Sequence, residues 1–265
     1  MEEKRLTSLS PSRASDFKHC PALYKFRSID KLEEPPTVHQ ARGTTAHRAL
    51  ELLFDLPPGE RNAPRLYDLF RRAWVELRDV EFPGLFSTVE EERAWGIDSM
   101  ALLANYFAVE DPARIRPTAR ERVLEVDVDG MTIRGILDRM EEDGGRLIIT
   151  DYKTGKAPPE RYAIGAFFAL KIYALLVRRE TGQTPDELRL LYLNGPTVYT
   201  IPVNDAQLDA MERHLRALWS AIDRAIRTGD FPTRPGRLCD WCAFQDRCPA
   251  WTTASSLDEL AASPA

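Results

Sequence analysis

Two acidic residues and a lysine near the middle of the chain have the types and spacing needed to cleave a phosphodiester bond with a metal ion. Asp138 ends one apolar stretch, and Asp151 ends a second and is followed two positions later by Lys153. Because side chains along a strand point to opposite faces in turn, Asp151 and Lys153 share a face. A carboxylate there can hold a hard divalent cation, and the ammonium group can reach the water or phosphate that the cation polarises. The pattern predicts a metal-dependent hydrolytic site.

The two stretches that carry these acids have the pattern of one β-hairpin. Residues 132–137 are apolar and β-branched, 141–145 form a turn cluster, and 146–152 have the composition of the return strand. Pairing across this hairpin would bring Asp138 near Asp151, within reach of one metal ion. The alternative is that both acids simply end strands, because acidic residues are common at turns.

The four cysteines form a second set of residues with metal-binding chemistry. Cys20 lies near the start of the chain, and Cys239, Cys242 and Cys248 lie near its end in a Cys-x2-Cys-x5-Cys pattern. Four thiolates are the ligand number of a tetrahedral zinc ion or of a four-iron cluster. Such a centre would be a structural cross-link, because closing so long a loop strongly constrains the unfolded chain. The alternative is four buried or unrelated thiols.

The composition is that of an ordinary globular protein and excludes several classes. A chain of 265 residues can bury a full core. It has no apolar run near the roughly 20 residues needed to cross a bilayer, and its charged N-terminus lacks the apolar segment of a secretion signal. We therefore expect a cytoplasmic protein without a membrane partner. The net charge of −5 gives no general attraction to nucleic acid. It does not exclude a nuclease, because only the cleft of such an enzyme must be positive.

Hydrophobic periodicity predicts the elements that must position these residues. Helices are expected at about 40–54, 64–80, 90–107, 160–180 and 204–227, and strands at about 120–128, 132–137, 146–153, 187–193 and 198–203. This mixture indicates an α/β fold. The small, polar tail at 252–265 is predicted to be disordered.

Taken together, these motifs resemble the PD-(D/E)XK nuclease superfamily. Within it, they are similar to the RecB-like branch with a C-terminal iron–sulfur staple, as in AddB-type nuclease domains and CRISPR adaptation nucleases. Four stretches carry the resemblance: the lone-cysteine segment 15–21, the G-T-x-x-H-x-x-L-E segment 43–51, the acid and D-x-K motifs at 135–139 and 150–155, and the cysteine triplet with Pro249. They occur in the family's order and span nearly the whole chain.

The resemblance implies a fold and a domain organisation. The expected fold is a restriction-endonuclease-like core with a central mixed sheet flanked by helices, together with an N-terminal helical insertion and a four-cysteine metal-cluster staple. A single nuclease domain would cover 1–251, followed by the disordered tail at 252–265. Its parts would be a helical region at about 40–110, a catalytic core at about 118–203, and a C-terminal helix with the cysteine triplet at 204–251.

The resemblance also implies roles for individual residues. His47, Asp138 and Asp151 would be ligands of Mg²⁺ or Mn²⁺, and the backbone carbonyl of Tyr152 would add a further oxygen. Lys153 would orient the attacking water or stabilise the charge that grows on the phosphate. The ligands of a [4Fe-4S] cluster, with Zn²⁺ as the alternative, would be Cys20, Cys239, Cys242 and Cys248.

Three polar residues near these motifs also have structural interpretations. A lone helical histidine such as His47 is more often a packed or surface residue, and here it could pair with Glu51 one turn on. Tyr173 matches the tyrosine of the family's Q-x-x-x-Y helix and is expected to face the cleft. However, Ala169 replaces the glutamine, so a half-buried core tyrosine is the alternative. Glu121, just before the first strand, could assist the site but stays outside the predicted ligand set.

These inferences predict a metal-dependent DNA nuclease, and the resemblance implies an exonuclease or flap-type nuclease that acts on single strands, specifically a single-strand exonuclease of DNA repair or recombination. Its partners would be DNA, single-stranded or with a free end, and a helicase or other repair protein. The alternative is a catalytically silent nucleic-acid-binding subunit of a helicase complex. The intact set of Asp138, Asp151 and Lys153 favours the nuclease, since a degenerate site usually loses one of its members.

Overall fold

A computed structural model describes residues 8–251 of the chain, so the predicted tail at 252–265 lies outside the described residues. The chain divides into two compact units. The first contains the described parts of 1–35, 127–133 and 212–265, and the second contains 36–126 and 134–211. The expectation of a single domain over 1–251 stays a prediction.

In the described chain, one short strand is followed by six helices, then by three strands, two helices, two strands and one more helix. The helices are α1 (Pro11–His19), α2 (Pro21–Tyr24), α3 (Val38–Leu53), α4 (Ala63–Leu77), α5 (Val89–Ala104), α6 (Tyr106–Val109), α7 (Glu160–Ala166), α8 (Phe168–Thr181) and α9 (Asp205–Thr228). The strands are β1 (Ser8–Leu9), β2 (Pro117–Val128), β3 (Met131–Asp143), β4 (Arg146–Lys156), β5 (Glu187–Asn194) and β6 (Thr197–Pro202). Short helical turns lie at Lys25–Ile29, Pro58–Glu60, Arg237–Trp241 and Gln245–Arg247.

The first unit brings together segments from both ends of the chain. Strand β1 pairs in parallel with the first residues of β3, with Ser8 opposite Thr132. Helix α1 begins at Pro11, a favoured first residue, after Ser10 caps its N-terminus. The buried ring of Tyr24 packs on Phe231, with ring centroids 6.5 Å apart, so aromatic contacts join the N-terminal helices to the segment after α9.

The second unit contains a mixed sheet. Strands β3 and β4 are antiparallel, and their turn uses Gly144 and Gly145, both with positive φ as a tight hairpin turn requires. Strand β4 pairs in parallel with β5 after the α7–α8 crossover, and β5 pairs antiparallel with β6. Strand β2 pairs with β3. The predicted α/β fold with a mixed sheet flanked by helices is confirmed.

A helical layer packs on one face of this sheet and fixes the position of α3. Its core contains aromatic side chains of α4 and α5, including Trp74 and Trp95 with ring centroids 4.5 Å apart. Buried alanine and leucine residues of α3 join the same cluster as Tyr152 of β4 and Leu191 of β5. The packing therefore sets the distance between α3 and the strand that carries the D-x-K motif.

The structure differs from the predicted elements at two places near that strand. The expected helix at 160–180 is two helices, because Phe167 leaves the helical conformation with ψ near 2° and is buried. Strand β4 also continues past Lys153 to Lys156, where an irregularity in the ladder allows Lys156 to pair with Asn194. Within residues 8–251, no helix is long and apolar enough to cross a membrane. The cytoplasmic location stays a prediction.

Candidate active site

The β3–β4 hairpin places the two predicted acids at the point where the strands separate. The ladder extends as far as the pair of Arg139 and Thr150. Beyond this pair, the backbone N–H of Tyr152 donates to the carboxylate of Asp138, with 2.8 Å between the nitrogen and Oδ2. Asp138 is therefore held against the peptide group that follows Asp151. The sequence prediction that the hairpin brings these acids together agrees with this arrangement.

His47 reaches the same place from α3. Its Nε2 atom lies 3.0 Å from the backbone carbonyl oxygen of Tyr152, and its Nδ1 atom lies 3.4 Å from Oδ2 of Asp138. The imidazole thus contacts two groups that the family resemblance assigns to the same metal ion. The contact between His47 and the strand is possible because α3 packs directly on this part of the sheet.

Glu121 is a functional candidate that the sequence argument left outside the ligand set. Its Oε1 atom lies 3.8 Å from Nδ1 of His47. Ligand atoms of His47, Glu121 and Asp138 all lie within 4.8 Å of one another. Glu121 also has φ near +40°, a conformation that costs a non-glycine residue roughly 1–3 kcal/mol and is concentrated at functional sites. No spacing rule could have found this residue, because its position depends on how β2 meets α3.

Asp151 and Lys153 share one face of β4, as the alternation of side chains predicts. The ammonium group of Lys153 forms an ion pair with Oδ2 of Asp151, although no hydrogen bond of regular geometry reaches that buried oxygen. Burial and the nearby charge of Asp138 raise the pKa of Asp151 to about 6. Two carboxylates in so dry a place repel each other, which favours a cation between them.

The protonation of His47 reflects the same excess of negative charge. Burial opposes the charged imidazolium, but the carboxylates of Asp138, Glu121 and Asp151 together outweigh it and hold the pKa of His47 well above its usual value. Burial would raise the pKa of Asp138, but the facing His47 lowers it. Both ring nitrogens of His47 therefore face acceptors. Carboxylate oxygens, a carbonyl oxygen and an imidazole nitrogen are suitable ligands for Mg²⁺ or Mn²⁺, so the donor set fits a divalent cation that replaces the proton charge.

Tyr173 lies on α8 within the electrostatic field of these acids. Burial raises the pKa of its hydroxyl, and the charges of Asp151 and Asp138 raise it further. The side chain is half-buried, which suits both a cleft residue and a core residue. Its catalytic role stays a prediction.

A cavity of about 430 Å³ opens beside the acids and gives access from solvent. His47 and Glu121 line it together with Thr44, Arg48 and Leu77. Ion pairs with Glu51 and Glu76 hold the guanidinium group of Arg48 at the wall of this cavity. The lining therefore combines a guanidinium cation with carboxylates. The cavity reaches two of the three residues of the acid cluster, His47 and Glu121.

The four cysteines lie in the first unit and line one cavity of about 350 Å³. Cys20 is the residue between α1 and α2, and the triplet lies on the helical turns near the end of the described chain. The backbone N–H of Gly236 donates to the sulfur of Cys239 at 3.4 Å. Burial and the neighbouring thiols raise the pKa of Cys242. The structure therefore gathers the lone cysteine and the triplet at one place.

Comparisons with known proteins agree with this geometry. The profile of the PD-(D/E)XK nuclease superfamily matches residues 8–249. The chain is similar to the Gene 69 protein of Mycobacterium phage L5, with 23% identity over 91% of this chain and 96% of that protein. It is also similar to the Gene 69 protein of Mycobacterium phage D29, with 26% identity over 69% of this chain and 73% of that protein.

A solved structure shares the fold. A Eubacterium rectale protein described as a candidate exonuclease has a TM-score of 0.59 at 12% sequence identity. The match covers 93% of this chain and 88% of that chain.

We expect Glu121→Gln to weaken Mn²⁺ binding about ten-fold, because one of the charged oxygens at the centre becomes a neutral amide. The matched control is Glu125→Gln on the same strand, which changes an exposed residue that pairs with Arg134. Isothermal titration with Mn²⁺ measures both variants. Equal affinities in the two variants would remove Glu121 from the centre.

Proposed function

Because the chain belongs to the PD-(D/E)XK nuclease superfamily, we propose that it is a divalent-metal-dependent deoxyribonuclease, and specifically an exonuclease that acts on single strands. The observation that carries the proposal is the convergence of His47, Asp138 and Glu121 beside the ion pair of Asp151 and Lys153. A catalytically silent binding subunit is not favoured, since the acids and the lysine are all present in one place.

Each residue would have a defined part in the hydrolysis. His47, Asp138 and Asp151 would hold Mg²⁺ or Mn²⁺ together with the carbonyl oxygen of Tyr152. The metal, when bound, lowers the pKa of a water molecule and neutralises charge on the scissile phosphate. Lys153 would orient the attacking water for in-line attack or stabilise the charge that grows on the phosphate. Its position on the same strand face as Asp151 keeps its ammonium group beside the acids.

The finer assignment of substrate and pathway has indirect support. The solved neighbour is described as a candidate exonuclease, and a cavity of about 430 Å³ lies beside His47 and Glu121. Removal of nucleotides from an end is the chemistry of DNA repair and recombination. In that setting, a helicase or another repair protein would supply the single strand, and the chain would belong to the RecB-like branch.

We further propose that the four cysteines hold a [4Fe-4S] cluster. They line one cavity, which brings the lone cysteine and the triplet to one place. Four thiolates are the ligand number of a four-iron cluster, and a single Zn²⁺ with the same four ligands is the alternative. Such a cluster would be structural.

Lys153→Ala tests the catalytic proposal directly. We expect the rate of cleavage of 5′- and 3′-labelled single-stranded DNA with Mg²⁺ or Mn²⁺ to fall at least about 100-fold, because the growing phosphate charge loses its ammonium partner. The matched control is Lys156→Ala, which removes an exposed lysine at the end of the same strand and should retain the wild-type rate.

The outcome separates the hypotheses. Metal-dependent cutting that Lys153→Ala abolishes supports the nuclease, and the two product ladders give its polarity. Equal cutting by wild type and Lys153→Ala, or no cutting by metal-loaded wild type, would contradict it and favour the binding subunit.

The cluster proposal predicts a brown protein after purification without air, with about four irons per chain. Cys242→Ala should lose both colour and iron, because one iron of the cluster loses its thiolate. Elemental analysis and visible absorption measure this result. A colourless protein that contains stoichiometric zinc would refute the cluster.

A further inference from the structure

Arg139 is a fully buried charged residue directly behind the candidate metal centre. Its side chain is 1% exposed, and it follows Asp138 on β3, so the two side chains point to opposite faces of the sheet. Arg139 forms ion pairs with Glu110 and Glu141 and contacts the hydroxyl group of Thr150 at 3.3 Å. A charge cluster of this kind has no contact with substrate.

Stability alone does not account for the Arg139 cluster. Removing two charges from water is expensive, and apolar residues of similar volume often replace a buried ion pair without loss of stability. Once an ion pair is buried, however, its two members stay together, because separating them would leave an uncompensated buried charge that costs several kcal/mol. A cluster with these properties suits a role in fixing the geometry of a neighbour.

That neighbour is Tyr152. The Nη1 atom of Arg139 donates to the hydroxyl oxygen of Tyr152 at 2.6 Å, and its guanidinium group lies 5.5 Å from the centre of the tyrosine ring. The ring of Phe54 lies 5.4 Å from the same guanidinium carbon. The side chain of Tyr152 is therefore fixed by a charged hydrogen bond and by ring packing.

The backbone of Tyr152 contacts the candidate metal centre on both sides of its Cα atom. Its N–H donates to Oδ2 of Asp138, and its carbonyl oxygen lies 3.0 Å from Nε2 of His47. The Tyr152 ring is also packed against Tyr106, with ring centroids 6.0 Å apart, so the fixed ring fixes the position of the Cα atom that both peptide groups share. The hydroxyl, the ring and the backbone of one residue thus connect the buried charge cluster to two metal-ligand candidates.

We propose that Arg139, held by Glu110, is a positioning residue that sets the metal centre through Tyr152. The inference rests on the proposed metal-dependent function, because the bound cation is what the positioned residues would hold. It assigns Tyr152 a side-chain role in addition to that of its carbonyl group. Arg139 itself touches neither metal nor substrate.

The test uses variants that preserve packing, because loss of Arg139 itself would leave two buried carboxylates uncompensated. Tyr152→Phe removes the acceptor of the Arg139 hydrogen bond but keeps the ring, and Glu110→Gln removes one charge but keeps the shape. We expect each variant to weaken Mn²⁺ binding about ten-fold, as measured by electron paramagnetic resonance of free Mn²⁺. The double variant should bind Mn²⁺ no more weakly than the weaker-binding of the two single variants. Both changes interrupt the same chain of contacts from Glu110 through Arg139 to Tyr152.

The matched control is Tyr24→Phe. Tyr24 is also fully buried, and its hydroxyl has no hydrogen-bond partner among the described residues. Tyr24 lies in the first unit, so the Tyr24→Phe variant should bind Mn²⁺ with an affinity within about two-fold of wild type. Thermal unfolding of all variants distinguishes a folded protein with a weakened centre from one that has lost its structure.

The outcomes separate this inference from the proposed function. If wild type binds Mn²⁺ and Tyr152→Phe binds it equally well, with only a lower melting temperature, Arg139 has a packing role and the positioning role is refuted. Fully additive effects in the double variant would also refute it, because Glu110 would then act independently of Tyr152. If wild type binds no Mn²⁺, the proposed metal-dependent function fails and this inference fails with it.

Discussion

The alternation of side chains along β4 is the constraint on which the rest of the candidate site depends. A strand presents successive residues to opposite faces, so Asp151 and Lys153 face the reaction while Tyr152 between them faces the core. Residues 151–153 therefore present side chains to both faces of the sheet. A change in the packing of the helical layer on Tyr152 would also move Asp151 and Lys153. Helix α3, which carries His47, packs on this strand as part of that layer.

Charge balance is the second consequence of this geometry. Asp151 is buried and Asp138 is largely buried, with 9% of its side chain exposed, and burial of a carboxylate requires a partner. In the structure these partners are His47 and Lys153. Burial lowers the pKa of each, but the surrounding acids, chiefly Asp138 for His47 and Asp151 for Lys153, together raise it. Glu121 adds a third carboxylate beside His47, so negative charge remains in excess at this place. A divalent cation held by the same acids would offset that excess.

Local sequence patterns predict part of this site, whereas long-range packing brings the remaining residues to it and leaves no local pattern. The hairpin and the D-x-K motif follow from a two-residue period and a glycine turn, which are visible in sequence. Glu121 was not predictable as a member of the cluster, because its position depends on a strained φ and on the meeting of β2 with α3. The Arg139 cluster was equally hidden, since Glu110 directly follows α6 and nothing in its spacing indicates Arg139 as its partner. The split at Phe167 reflects tertiary burial that overrides helical periodicity.

The cysteine cavity is built on a different principle from the candidate metal centre. The candidate ligands of the acid cluster come from α3, β2 and the β3–β4 hairpin, all within the second unit, so the sheet itself holds them. The first unit instead combines segments far apart in sequence around a small core, in which Tyr24 contacts Phe231 across the chain. Small cores of this kind usually need a cross-link, since they bury little apolar surface. Joining Cys20 to the C-terminal triplet would close a very long loop, which is where a cross-link restricts the unfolded chain most.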